Sequence, residues 1–281
     1  MRRAVSFFAA LLFALTAFAE APSDATARSP VVAQKITLKI GERSLIGFLY
    51  VPDGDGPFPA LIWNHGSEKR PDAGAQFDSV ASIFVPAGYV VFAPVRRGHG
   101  DSPGRYIVDE IRGARSLGGW EAAGRTAVAL LESEQLADQL AGLVYVKQLP
   151  FVDAQRIAVA GCSFGGIETL LGAERDVGYK AAISISPAAQ SWNQNPFLQE
   201  RLIRAVRRID IPVLLIQPAK DASLAPSRVL GKAAAEAGKP LTAKVYPATG
   251  PHKEQTHCFG GHAGMHVWAE DAKAFLADHL H

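Results

Sequence analysis

An α/β fold, with helices on both faces of a mostly parallel twisted sheet, is the architecture these 281 residues predict. Three features point to it. Short apolar runs rich in β-branched residues recur along the chain. Helix-period segments separate them. No internal repeat or low-complexity linker interrupts the alternation after residue 34. Strand alternating with helix implies parallel strands joined by right-handed crossovers.

The first strands differ from the rest. "KITLKI" alternates apolar and polar residues, "GER" turns, and "SLIGFLYV" supplies a partner. That is a half-buried antiparallel hairpin at a sheet edge. After the turn-rich "PDGDGPFP", the runs "ALIWN", "YVVFAPV", "RIAVAG", "KAAISISP", "IPVLLIQP" and "LTAKVYP" lack strict alternation. Strands covered on both faces read this way. Helices are expected over 76–86, 122–149, 164–174, 197–208, 226–237 and 265–279. A composition 48% hydrophobic and 20% charged supplies a core large enough for one domain over 35–281.

The N-terminus has a separate logic. "MRR", the apolar "AVSFFAALLFALTAF" and the small-residue "AFA" make the three parts of a secretory leader over residues 1–19. The alternative is a membrane anchor, for which the run is short. Residues 20–34 read as a disordered lead-in. The expected location is therefore periplasmic or extracellular. Losing Arg2 and Arg3 with the leader takes the formal charge of +2 to near zero. No basic block remains, so nucleic acid is not an expected partner, and no later segment resembles a membrane span.

The chemistry begins at "RIAVAGCSFGGIETLLGAE", which reads strand, sharp turn, helix. Gly161, Ser163 and Gly165 form G-x-S-x-G. In such a turn the nucleophile is held in a strained conformation, and its neighbours two residues away must be tiny because strand and helix nearly touch. Ser163, not Cys162, holds the central position. A serine hydroxyl needs a base, commonly a histidine oriented by a carboxylate. In a wound sheet these collect at the carboxyl ends of strands. Asp221, a few residues past "IPVLLIQP", is the candidate acid, with a helix N-cap as its alternative role. Asp210 lies at the wrong end of that strand. "PHKEQTHCFGGHAGMHVW" holds His252, His257, His262 and His266. His257, before the Gly-flanked "CFGG", is the candidate base and His262 the runner-up; His266 is expected on the last helix. A metal reading of these histidines lacks an HExxH pattern and an acidic cluster. Neither metal nor cofactor is expected.

An oxyanion needs donors. The backbone N–H of Phe164 is the first candidate and that of Ser67, in "NHGS", the second. His65 is expected to brace that loop by hydrogen bonds. The Gly-rich "RRGHGDSPG" reads as a separate tight loop that Arg96 or Arg97 fixes by salt bridges, with a purely structural turn as the alternative. Tyr106, Trp120 and Trp192 are read either as pocket lining or as ordinary packing. Cys162 adjoins the nucleophile and Cys258 adjoins the candidate base. If those two meet, a Cys162–Cys258 disulfide is within reach; two buried thiols are the alternative.

"NHGS", "RRGHGDSPG", "FVDAQRIAVAGCSFGG", "LLIQPAKDASLAP" and "HCF" together resemble the α/β-hydrolases, in the branch of dienelactone hydrolases and prolyl-oligopeptidase-like enzymes. The likeness runs from about residue 36 to the end. It implies an eight-stranded mostly parallel sheet, with Ser163 as nucleophile, Asp221 as acid and His257 as base, two residues before an aromatic. Dienelactone hydrolases proper carry Cys where this chain has Ser163, and oligopeptidases carry an extra domain. Only about two dozen residues separate "ISISP" from the next strand, too few for a large lid. The expected activity is ester cleavage through an acyl-enzyme on a small-molecule substrate. The alternatives are a small peptidase or amidase acting on short peptides, and a catalytically silent binding protein.

Overall fold

The hairpin comes first: β1 (Gln34–Ile40) runs antiparallel to β2 (Arg43–Tyr50), with Ile40 opposite Arg43. Gly41 sits in the turn at φ 58°. The structure, a computed structural model, describes residues 31–72, 76–247 and 256–280, and the side chains of 260–263 are not among them. The expected leader and most of the lead-in lie outside the described residues, and Gln34 already belongs to β1.

Six further strands complete the sheet: β3 (Phe58–Asn64), β4 (Val90–Val95), β5 (Val152–Cys162), β6 (Ala181–Ile185), β7 (Val213–Pro218) and β8 (Leu241–Tyr246). Their order is β1-β2-β4-β3-β5-β6-β7-β8. β2 meets β4 antiparallel, and every pairing from β4 to β8 is parallel. Helices α1 (Gln76–Phe84), α2 (Ile107–Leu130), α3 (Leu136–Lys147), α4 (Phe164–Ala173), α5 (Pro196–Val206), α6 (Ala225–Glu236) and α7 (Ala269–His279) provide the crossovers and the end of the chain. Among the described residues no helix is long and apolar enough to cross a membrane.

The unalternated strand sequences are explained by two cores. Ile62, Phe92, Val159 and Leu215 face one core with side chains of α2 to α6. Their chain neighbours Leu61, Val91, Ala158 and Leu214 face the other, with Phe77, Val80 and Phe84 of α1 and Leu276 of α7. Each fully buried large apolar side chain contributes about 1.5–3 kcal/mol. β8 departs from the expectation of two covered faces. It is the edge strand and most of it is exposed. Lys244 there pairs with Asp271 of α7 at 2.9 Å, a charged side chain of the kind that blunts sheet edges.

Two helical boundaries also differ. The segment expected over 122–149 starts at Ile107, breaks at Gly118–Gly119 (φ 71° at Gly119) and widens into a π turn at Leu131–Gln135 before α3. Residues 107–117 carry Asp109 and Glu110 in the first turn, where acids favour a helix start, but little apolar periodicity. The last helix starts at Ala269, not 265. A 3-10 segment, His257–Val267, precedes it, so His266 lies on that segment and not on the helix.

Strand β5 and helix α4 meet at the tightest backbone approach that bears on function. A Cβ on Gly161 would stand 2.6 Å from the Asn64 carbonyl oxygen, and one on Gly165 would overlap that same oxygen. Gly165→Ala is therefore expected to lower unfolding free energy by roughly 3 kcal/mol or more, read by urea denaturation. An unchanged midpoint would show that β3 can move away at little cost.

Candidate active site

β5 ends at Cys162 and α4 begins at Phe164, leaving Ser163 alone in the turn at φ 58°, ψ −119°. Positive φ on a residue with a Cβ costs on the order of 1–3 kcal/mol. The surroundings over-determine it. The Ser163 N–H donates to the Ile185 carbonyl at 3.0 Å, and its carbonyl accepts from the Ile167 N–H at 3.1 Å. The Phe164 N–H is the first amide of α4, at the positive end of the helix dipole.

The parallel sheet brings the other candidates to the same rim. Asp221 follows β7, and its side chain is fully buried. Oδ1 lies 2.8 Å from His257 Nδ1 and accepts the Ala222 N–H at 2.7 Å; Oδ2 accepts from Gln217 Nε2 at 3.1 Å. Burial alone would raise this carboxyl. The hydrogen bond and charge of His257, helped by Gln217, hold it below its ordinary value. With Nδ1–H facing the carboxylate, the lone pair of His257 is on Nε2. That atom is buried and has no hydrogen-bond partner among the described residues, Ser163 Oγ included.

His257 is fixed by both chain neighbours and by the next residue but one. Thr256 Oγ1 donates to the Lys220 carbonyl at 2.8 Å, tying the His turn to the Asp loop. Cys258 is disulfide-bonded to Cys162, with Cα atoms 6.0 Å apart, tying it to the residue before Ser163. Phe259 is fully buried, its ring edge-on to Tyr246 at 6.1 Å. Cys258 and Phe259 both have positive φ, at 53° and 59°. The bridged alternative for the two cysteines is the one found. His252 and the His262 side chain lie outside the described residues.

The loop after β3 closes the rim. A Cβ on Gly66 would stand 3.6 Å from Ser163 Cβ, so the segment carrying Ser67 runs beside the elbow. Tyr106 donates its hydroxyl to the Ser67 carbonyl. His65 is buried, accepts the Arg96 N–H on Nε2 at 3.1 Å and therefore donates Nδ1–H to the Gly66 carbonyl at 2.9 Å. Burial, then the charges of Arg96 and His99, hold it well below its ordinary pKa, so it braces the loop as a neutral ring. Arg96 donates to the His65 and Gly66 carbonyls, both at 2.8 Å. Arg97 pairs with Asp138 at 2.6 Å. Trp192 is core, while Trp120 lines a cavity beside Phe164.

A model of the prolyl oligopeptidase family matches residues 75–204. "Probable dipeptidyl-aminopeptidase B" of Talaromyces stipitatus is 28% identical over 161 residues, 56% of this chain and 16% of its own length. Among solved structures, a Pyrococcus horikoshii acylaminoacyl peptidase superposes with TM-score 0.63 at 16% identity, over 90% of this chain and 42% of its own. A Pyrococcus furiosus esterase superposes with TM-score 0.65 at 18% identity, over 89% of this chain and 94% of its own. The fold is the α/β-hydrolase fold. This chain spans only a sixth or so of the length of the curated relative and less than half of the peptidase.

Two further residues hold these groups in place and stand in no motif of the sequence. Gln217 reaches Asp221 from within β7 and donates also to the Ser223 carbonyl at 2.6 Å. A polar residue inside an apolar strand was the available signal. Gln135 sits on the π turn and accepts from Arg96 Nε at 3.1 Å. No sequence pattern announces a π turn. Behind the elbow, Glu168 of α4 is fully buried, and neither carboxyl oxygen has a hydrogen-bond partner among the described residues. Burial pushes it up to about 8, against the pull of Arg96.

Two outcomes follow from this geometry. Unfolded, unreduced protein should show no free thiol, and Cys162→Ser/Cys258→Ser should lose about 2–5 kcal/mol of stability; two titratable thiols would refute the bridge. The folded Glu168 carboxyl holds its proton more tightly than an unfolded one. Its stabilising contribution is therefore largest below about 4.5 and declines as pH rises through about 8. Urea titrations from pH 5 to 8 should show stability falling in the wild type relative to Glu168→Gln. Parallel profiles would mean that Glu168 stays ionised beside Arg96.

Proposed function

We propose that the protein is a serine hydrolase that cleaves carboxylic esters through an acyl-enzyme on Ser163. The observation that carries this reading is the pairing of a fully buried Asp221 carboxylate with His257 Nδ1 at 2.8 Å, with His257 Nε2 buried and unpartnered and Cys258 disulfide-bonded to the residue before the strained Ser163.

The chemistry runs as follows. Ser163 Oγ attacks the ester carbonyl as His257 Nε2 takes its proton. The imidazolium is stabilised by Asp221, which keeps its negative charge. The carbonyl oxygen becomes an oxyanion and receives the N–H groups of Phe164 and Ser67. Collapse expels the alcohol, protonated by His257, and leaves an acyl-serine. Water then attacks with His257 again as base, and the acid departs. No step needs a cofactor.

Peptide or amide cleavage by the same groups is the second reading. The family match and the peptidases among the relatives favour it. We place the protein in the periplasm or extracellular space. The leader-like residues 1–19 support this, as does a disulfide of the kind oxidising compartments maintain.

A fluorophosphonate probe should label native protein, and Ser163→Ala should abolish labelling and lower kcat by roughly 10⁴-fold or more. Undiminished labelling of Ser163→Ala, or none of the wild type, would turn the reading towards a silent binding fold. Short-chain p-nitrophenyl esters should be cleaved with higher kcat/KM than aminoacyl anilides; the reverse order would select the peptidase.

A further inference from the structure

A cavity of about 390 Å³ opens beside Phe164, the residue covalently next to Ser163. Its two walls come from α2 and from the stretch between β6 and α5. We propose that this cavity holds the acyl group of the substrate, and that this group is uncharged and apolar, a short chain or a single ring. The proposal rests on Ser163 being the nucleophile.

Position is the first argument. An acyl group esterified to Ser163 Oγ begins one residue from the cavity wall. Shape is the second. On the α2 side the lining is Ala123, Gly124 and Ala127, with Leu131 one turn further along. Small residues spaced along one helix face leave a trough. Gly124 also sets how close the walls come. A Cβ there would stand 2.8 Å from Asn195 Oδ1 and 3.1 Å from the Phe197 ring. The volume lies at the small end of the range for ligand pockets, enough for a few carbons or a ring and not for a polymer.

Chemistry is the third argument. No ionisable side chain lines the cavity among the described residues. The polar residues in its wall are Gln190, Ser191, Gln194 and Asn195, all uncharged, and Asn195 is already engaged. Its Oδ1 caps α5 by accepting the Leu198 N–H at 3.0 Å, and its Nδ2 donates to the Gly124 carbonyl at 3.4 Å. A carboxylate or ammonium placed here would be desolvated with no opposite charge among the lining residues, which is unfavourable. An apolar group needs none. Trp120 lines the cavity, yet more than half of its surface is exposed, and the Arg115 guanidinium stacks on its ring at 3.6 Å. The Gly118–Gly119 break precedes it. An apolar acyl group would cover indole surface that otherwise faces water.

The test varies the acyl group with the leaving group held constant: p-nitrophenyl acetate, butyrate, hexanoate, phenylacetate and hemisuccinate. Burial of a methylene gives about fourfold in kcat/KM, the ~0.8 kcal/mol transfer value. Hexanoate should therefore exceed acetate at least tenfold, and hemisuccinate should fall below butyrate. Ala127→Trp, which fills the trough, should cut the hexanoate-to-acetate ratio at least fivefold. Leu131→Ala should move the optimum to longer chains. A flat acyl profile overturns the proposal, as does preferred hemisuccinate, a ratio unchanged in Ala127→Trp, or a rise that follows the leaving group in an acetyl series. If neither variant folds, the wild-type profile decides. Fluorophosphonate labelling with a flat profile sinks this proposal alone; no labelling sinks the Ser163 reading as well.

Discussion

The site depends on how close three backbones come to one another at the end of β5. The Asn64 carbonyl of β3 presses on the positions of Gly161 and Gly165, so neither can carry a side chain. Only that approach lets Ser163 sit at φ 58° with its N–H on Ile185 and its carbonyl on Ile167. The strain is small against the packing that imposes it, since β3, β5 and α4 bury their apolar side chains on both faces of the sheet. A serine outside such a vice would relax to negative φ and fold its hydroxyl back among its neighbours.

Two unlike devices then fix the imidazole of His257, whose Nε2 makes no hydrogen bond to that serine. One is electrostatic. A carboxylate taken wholly out of water survives as an anion only if its lone pairs are engaged, and Asp221 engages them with His257, Gln217 and the Ala222 N–H. The other is covalent and local. The disulfide joins the residue before Ser163 to the residue after His257, so two loops distant in sequence share one anchor. Cysteine at position 162 is thus committed to a structural bond, which removes the competing thiol nucleophile from the elbow.

Much of this was legible in the residues themselves. G-x-S-x-G between an apolar run and a helix specifies backbone geometry directly, because glycine is demanded by contact and not by chemistry. Asp221 and His257 follow from a parallel sheet, which collects the loops after β7 and β8 at one end. What escaped the sequence has physical causes too. β8 reads as buried because "LTAKVYP" is β-branched and apolar at its ends, yet edge position is a property of strand order. Residues 107–117 form helix without an apolar stripe, and their helicity comes from the acids of the first turn and from continuity with the buried half of α2. Gln217 and Gln135 act through positions that only the folded chain creates.

The same reasoning bears on where substrate choice resides. The segment between β6 and β7 is short, as the sequence implied, and α5 lies within it. The extra chain lies instead between β4 and β5, as α2, the π turn and α3. Within that stretch, at the end of the π turn, Gln135 holds Arg96, which in turn holds the loop beside Ser163. The face before it, from Trp120 to Leu131, walls the cavity next to Phe164. A single stretch of chain therefore supports the loop beside Ser163 through its π turn and shapes the neighbouring pocket with the α2 face before it. The π turn follows α2 directly, so packing changes along α2 reach the loop beside Ser163 through Gln135 and Arg96.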